Sequence, residues 1–293
     1  MFALRGHLRR WCSRVLTARL RERLRARSLA RTTKRLDFAA SQMAMMLHFL
    51  GRNPFEGKEV AEIGAGWVLS HSCCAWLLGA RRIDAYDIAS EVDSQAWRAA
   101  ILSADAPLVR DVLAPFAPHQ ELRRRLVELQ QIAGDKGRGL DSLPLVWHGG
   151  HDLTSCGLAR PVSVIWSFSV LEHLDPDLVP AALRHLRDSL ASGGIMFHGI
   201  HLEDHLDLQA NPFAFLAANA GSWSPDRTFS RGNRLRASQW ERHLSIPGLS
   251  PPERLFAWRR PGCLPANLAP PFAGLPEDDL DISHLGILSS ATS

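Results

Sequence analysis

The stretch from Glu59 to Ile88, EVAEIGAGWVLSHSCCAWLLGARRIDAYDI, constrains this chain more than any other. A short, largely apolar run from Val60 ends in Glu62-Ile63-Gly64-Ala65-Gly66, a helical pattern follows through Leu78, and a second apolar run closes on Asp87. The pattern predicts a strand, a glycine turn, a helix, and a strand with an acid at its tip. Glycines suit a turn where the backbone leaves a strand sharply and a ligand comes close, because a Cβ would occupy the ligand's space. The acid lies 21 residues beyond Gly66. At about that spacing a second-strand carboxylate accepts hydrogen bonds from the ribose hydroxyls of a nucleotide cofactor.

The details of the turn separate two cofactor classes. A dinucleotide fingerprint needs a third glycine and sets a pyrophosphate on the helix N-terminus. Here Trp67, Val68 and Leu69 follow Gly66, and Glu62 stands just before the turn. A carboxylate there opposes a pyrophosphate and suits a cationic, phosphate-free ligand. The stretch resembles the first motif of the class I S-adenosylmethionine-dependent methyltransferases, acid-x-Gly-x-Gly-x-Gly, with Val68 where their third glycine falls. The resemblance implies that Glu62, Gly64, Ala65, Gly66 and Asp87 border S-adenosylmethionine.

A second segment carries the same resemblance. Val162 to Ser167 is nearly continuously apolar, as a buried parallel strand should be, and runs into Phe168-Ser169-Val170-Leu171-Glu172-His173-Leu174. This is similar to the fourth-strand motif of those enzymes, with Ser163 in place of their usual Asp, and it implies that Ser167 belongs to the cofactor site. Between the two motifs, Leu145 to Trp147 reads as a third strand. In the resembled family an acid after that strand holds the adenine amino group, and Asp152 takes that place; a turn-capping Asp has the same appearance in sequence.

Residues 178–190 form an amphipathic helix that stops at Ser192-Gly193-Gly194 before a fifth strand, Ile195 to Ile200. Then come His201-Leu202-Glu203-Asp204-His205 and, later, Asn233-Arg234-Leu235-Arg236. They are similar to an I-D-L-x-D-H segment and an N-R-L-R segment in a bacterial subset of the family. Residues just past a parallel strand emerge where ligand-binding turns converge. His205, with Asp204 beside it, is therefore the candidate catalytic pair, histidine being a frequent general base. Methyl transfer needs no metal, and none is expected. Glu172 and His173 read first as a local pair at a helix start.

The fold class expected is α/β: a Rossmann-like, doubly wound, mostly parallel sheet with helices on both faces. An antiparallel last strand is implied by the resemblance alone. Phe38 to Leu50 reads as a helix covering the sheet or roofing the cofactor site. Residues 37–290 form the domain, interrupted by an insertion at about 89–144 with helical patterns around Trp97 to Ala104 and Leu122 to Ile132. A substrate lid and an idle surface excursion both fit that insertion.

Composition narrows the setting. The 293 residues are 46% apolar and 22% charged, which is ordinary globular chemistry. Five cysteines without zinc spacing suit a reduced, cytoplasmic compartment, and no uncharged apolar run reaches the roughly 18 residues of a membrane span. Charge is uneven. Residues 1–36 carry eleven Arg and one Lys against Glu22, a net +11, so the rest carries −7 of the chain's +4. Leucines recur at helical spacing among these arginines. The segment fits an anionic membrane surface, placing the protein at its inner face, a contact with nucleic acid, a helix packed on the domain, or a transit peptide.

The function implied is methyl transfer from S-adenosylmethionine to a small molecule or a cell-envelope glycan intermediate. Nothing resembles a nucleic-acid motif, so nucleic acid is not an expected partner. The rivals are a nicotinamide-dependent oxidoreductase and a membrane-associated scaffold that kept the fold without turnover.

Overall fold

A computed structural model of the protein describes residues 35–292. Nearly all of the basic segment, residues 1–34, lies outside the described residues. The chain enters on helix α1 (Leu36–Leu50), closed by Gly51 in the left-handed conformation. Strand β1 (Glu59–Ile63), helix α2 (Ser70–Leu77) and strand β2 (Arg82–Asp87) then form the expected unit. Asn53 anchors the turn before β1 by donating from Nδ2 to the Leu78 and Phe116 carbonyls.

Strands β3 (Leu145–Gly149), β4 (Val162–Phe168), β5 (Leu190–His201), β6 (Glu253–Arg259) and β7 (Ile282–Ser290) complete a seven-stranded sheet of order β3-β2-β1-β4-β5-β7-β6. The pairings from β3 to β5 are parallel, and β7 runs antiparallel to both β5 and β6. The sheet is the doubly wound, mostly parallel one expected, with its antiparallel strand at the carboxyl end of the chain.

Both faces are covered, which explains the unbroken apolar runs. Along β4, Val164 and Trp166 join the cluster under α1 and α2. Ile165, between them, joins the cluster under α6 (Val179–Asp188) and α7 (Ala237–Leu244). Met43, Met46, Cys73 and Cys74 are completely buried in the first cluster, so the methionines and the cysteine pair are core.

The insertion holds three helices rather than two: α3 (Ser94–Leu102), α4 (Ala106–Leu113) and α5 (His119–Gly134). The one unanticipated, α4, is short, but Asp105 caps it by accepting from Leu108 N and Pro107 fits its first turn. Trp97, Val109, Leu122, Leu126 and Leu129 extend the first core cluster. The insertion therefore packs as an outer layer of that face.

The fifth strand also departs from expectation. It begins at Leu190 and runs through Ser192-Gly193-Gly194, which the sequence presents as the cap of the preceding helix. Gly193 takes a positive φ of 67°, and the pairing with β4 shifts register between Val162 and Val164. The glycines make an irregularity within the ladder instead of separating helix from strand.

Buried charge locks the far edge. Asp84, at 0% exposure in the middle of β2, accepts from Arg82, from His148 of β3 and from Arg160. Burial alone would raise its pKa, but these donors outweigh it and hold the carboxyl down at about 2.

Candidate active site

The glycine turn is held from both sides. Gly64 and Ala65 donate to the Tyr86 carbonyl, at 2.8 and 3.1 Å. Gly66 N–H donates to the Asp87 carboxylate at 2.7 Å, and the second Asp87 oxygen accepts from Ala89 N–H at 2.7 Å. The turn after β1 and the acid at the tip of β2 are thus one hydrogen-bonded unit. Gly64 and Gly66 both sit at positive φ, 68° and 65°. Their surroundings differ. A Cβ on Gly66 would meet open space, whereas one on Gly64 would lie 2.2 Å from Val170 Cγ2. Gly64 leaves room for the loop that follows β4, not for a ligand.

Val68, where a third glycine was absent, has no positive φ; Leu69 takes the left-handed conformation, at 58°. Val68 packs against Ala96 and Ala100 of α3. The small residues of the insertion make room for the bulkier turn.

Beside the turn lies a cavity of about 530 Å³. Its floor is Gly64, Ala65 and Gly66, and Phe38 and Gln42 of α1 form a wall, so α1 does border the site. Phe168 and Ser169 enter from the end of β4. Ser169 holds a strained φ of 52° while donating its N–H to the Gly199 carbonyl. His71 also lines the cavity, bonded to Gln42 at 3.0 Å and 4.8 Å from the Phe168 ring. No residue of the insertion lines it.

Four imidazoles close the other side: His173, His201, His205 and His284. His201 ends β5, His284 comes from β7, and their rings stack at 4.4 Å. His205 stands between His201 and His173, at 4.6 and 4.8 Å. Burial first, then the neighbouring histidines, pushes its pKa down to about 3, so at neutral pH it is an uncharged imidazole. Behind it lies Glu172, 1% exposed, whose carboxyl burial pushes up to about 8.

The NRLR segment supports this wall. Asn233 Nδ2 donates to the Leu171 and Leu174 carbonyls, gripping the short 3-10 turn, Leu171–His173, that carries Glu172 and His173. Arg236, fully buried, donates to the Leu202 carbonyl at 2.7 Å and the Ile282 carbonyl at 2.5 Å, tying β5 to β7.

No protein-family model and no curated protein matches the chain. Among solved structures, it is similar to an S-adenosylmethionine dependent methyltransferase from Mesorhizobium loti, at 12% identity over 87% of this chain and 97% of that one, with a TM-score of 0.43. It is also similar to magnesium protoporphyrin IX methyltransferase from Synechocystis with bound S-adenosyl-L-homocysteine, at 13% identity, 87% and 83% coverage, and a TM-score of 0.45. A third is the N-methyltransferase NodS from Bradyrhizobium japonicum, at 12% identity, 86% coverage of each chain and a TM-score of 0.41.

The sequence-derived residues fall into two groups. Gly64, Ala65 and Gly66 line the cavity with His205, and Asp87 is bonded to the turn. The others stand back from it. Glu62 is buried behind Ser72, whose hydroxyl donates to it at 2.5 Å, and behind His71 at 3.7 Å. Burial, with a contribution from Asp87, raises its pKa to about 8 against that hydrogen bond. Ser167 is buried and pairs with His198 Nδ1 at 2.8 Å. Asp152 accepts from Thr154 and Ser155 in a surface turn. Asp204 is fully buried and takes Arg231 Nε at 2.9 Å on both oxygens. His71, His173 and His284 were not singled out as site residues. His173 stands in the motif after β4 but reads there as a local pair with Glu172; His71 and His284 show only a polar residue within a helix start or strand, which core histidines share.

Proposed function

We propose that this protein transfers a methyl group from S-adenosylmethionine to a small molecule or a cell-envelope glycan intermediate. The observation that carries the reading is the bonded unit of glycine turn and Asp87 opening onto a cavity whose far wall is imidazole. When bound, S-adenosylmethionine supplies an electrophilic methyl on a sulfonium.

The residues divide the work. Asp87 keeps lone pairs beyond the two occupied by backbone N–H groups, and these suit the two ribose hydroxyls. Glu62, behind the turn, offers a carboxyl that ionises when a cation comes near, which suits a sulfonium and opposes a pyrophosphate. Phe38, Phe168 and Leu208 give the cavity an apolar border. Positioning provides most of the rate, and proton removal is needed only for an acceptor that must be deprotonated. His205 stands on the acceptor side. Asp204, through Arg231, holds the segment that carries it and is a positioning residue. Asp152 and Ser167 act at one remove, by fixing the loop after β3 and the end of β4.

A neighbouring cleft, lined by Met45, Phe256, Trp258 and Leu285, shares Phe38, Phe168 and His284 with the cavity. It favours an acceptor with an apolar portion. The nicotinamide rival is disfavoured by Glu62 and the missing third glycine, and the scaffold rival leaves the cavity without a purpose.

Calorimetry with S-adenosylhomocysteine and NAD side by side tests the assignment. We expect the first to bind and the second not, and Asp87→Ala to weaken binding by on the order of 1–3 kcal/mol through unpaired ribose hydroxyls. NAD binding alone, or wild-type affinity in Asp87→Ala, would overturn it.

We also place the protein in the cytoplasm at the inner membrane face, held by residues 1–36. Among the described residues no helix is long and apolar enough to cross a membrane. Deleting residues 1–34, which spares Arg35 and the buried Leu36 at the start of α1, should leave cofactor binding intact and end cosedimentation with anionic vesicles, which should itself weaken as salt rises. Undiminished cosedimentation after the deletion would remove this reading.

A further inference from the structure

Three neighbouring residues beside the cavity each carry a buried side-chain atom with no hydrogen-bond partner, Glu172 Oε2, His173 Nδ1 and His205 Nε2; the other Glu172 oxygen accepts from His201 N–H at 3.3 Å and lies 3.7 Å from His205 Nε2. A buried polar atom without a partner costs free energy, on the order of 1–3 kcal/mol, and a carboxylate more. Three at one place, on two separate segments, call for a common partner.

We propose that Glu172, His173 and His205 bind a divalent first-row transition ion whose open positions face the cavity. One ligand atom from each residue lies within 4.8 Å of the others. Ligands at about 2.0–2.2 Å from an ion stand roughly 3 Å apart, so small side-chain rotations complete the site. Two imidazole nitrogens and one carboxyl oxygen suit zinc, iron, cobalt or manganese rather than magnesium or calcium. Glu172 is nearly inaccessible, while His173 and His205 line the cavity, so the ion would meet the protein on one side and the cavity on the other. Three protein ligands with open positions are the arrangement of a catalytic site, not a structural one.

The surroundings fit. Asn233 N–H donates to the Glu172 carbonyl at 2.6 Å, and its side chain grips the turn carrying two of the three ligands. The neighbouring group of His201, Glu203 and His284 is the weaker candidate. Glu203 already accepts from Arg260 and from His201, at 2.6 and 2.8 Å, so an ion there would displace a guanidinium.

The ion site stands on its own geometry, and its meaning for the acceptor rests on the methyl-transfer reading. An acceptor hydroxyl on the ion loses its proton to water more readily, because the ion's charge stabilises the oxyanion. That oxygen attacks the methyl carbon, and the carbon–sulfur bond breaks with its electron pair passing to sulfur. His205, as a ligand, then promotes proton loss through the ion. On this reading the acceptor atom is an oxygen.

The test is cobalt binding to the untagged full chain, followed by visible absorption and metal analysis after gel filtration. We expect one Co²⁺ per chain with ligand-field bands. Glu172→Gln and His173→Ala should each weaken binding by at least the ~10–100-fold that outer-shell changes cost, while His284→Ala should retain it. Wild-type protein that takes up no stoichiometric cobalt or zinc overturns the proposal without any variant. Binding that survives Glu172→Gln but is lost in Glu203→Gln also overturns it, in favour of the neighbouring group. Stoichiometric cobalt in a protein that fails to bind S-adenosylhomocysteine would sink the methyl-transfer reading and leave the ion site standing.

Discussion

Replacing Gly64 by alanine is expected to abolish cofactor binding and to lower the melting midpoint together. Two costs combine. A non-glycine residue at φ 68° pays roughly 1–2 kcal/mol for the left-handed conformation. The new Cβ would also lie 2.2 Å from Val170 Cγ2 and 2.8 Å from Cγ1, closer than real contacts, and relieving such overpacking typically costs about 1–3 kcal/mol. Val170 cannot retreat freely, because Ser169 before it is tied to Gly199 and Leu171 after it is gripped by Asn233. The strain therefore moves the loop that carries Ser169, Glu172 and His173, all at or behind the cavity. Gly66→Ala is the control: it shares the φ cost, but its Cβ enters open space, so it should keep the fold and weaken only the ligand. Thermal melting with calorimetry on both variants checks this. A Gly64→Ala protein with wild-type midpoint and affinity would remove Gly64 from the account.

Much of this framework was legible because the constraints are local. The apolar runs of β1, β2 and β4 need both faces buried, the glycine turn needs positive φ, and α6 shows an apolar stripe at helical period. The pairing of β6 with β7 followed from resemblance, and the structure shows why the segments suit it: Gly286 of β7 leaves room for the Phe256 ring of β6, which would lie 2.2 Å from a Cβ there. The misjudged features depend on distant partners. Gly193-Gly194 has the composition of a loop, but the register shift against β4 is invisible until β4 is beside it. Helix α4 is only eight residues long and gains its stability from the core of α1 and α5 rather than from propensity.

The site divides along the same line. Asp87 and the glycine turn are bonded across 21 residues of one local unit, and spacing alone located them. Glu62, Asp152, Ser167 and Asp204 were singled out by position in a motif, and each is held by a neighbour that position does not reveal: Ser72, the 154–155 turn, His198 and Arg231. The imidazole wall gathers His173 from beyond β4, His201 from the end of β5, His205 from beyond it, and His284 from β7. Only the sheet order β4-β5-β7 brings them together.

Replacing His205 by alanine should leave cofactor affinity intact and reduce turnover by roughly 10²–10⁴-fold, the range for loss of a group that handles the acceptor's proton. The separation of effects follows from place. The glycine turn, to which Asp87 is bonded, forms one side of the cavity and His205 the other, beside His173 and His201. Alanine there removes a half-buried ring whose Nε2 has no hydrogen-bond partner, so no intramolecular bond to that atom is lost and the melting midpoint should move little. The backbone N–H of His205, which donates to the Arg231 carbonyl, is unchanged by the substitution. The acceptor for the assay is the metabolite that gains a label from methionine in the parent strain and not in its deletion. On it the variant should lose kcat with KM for S-adenosylmethionine unchanged. A fall in cofactor affinity instead would place His205 among the residues that shape the cofactor's pocket. Full turnover would show that the ring is structural and return the acceptor's proton to Glu172, to His173, or to no protein group at all.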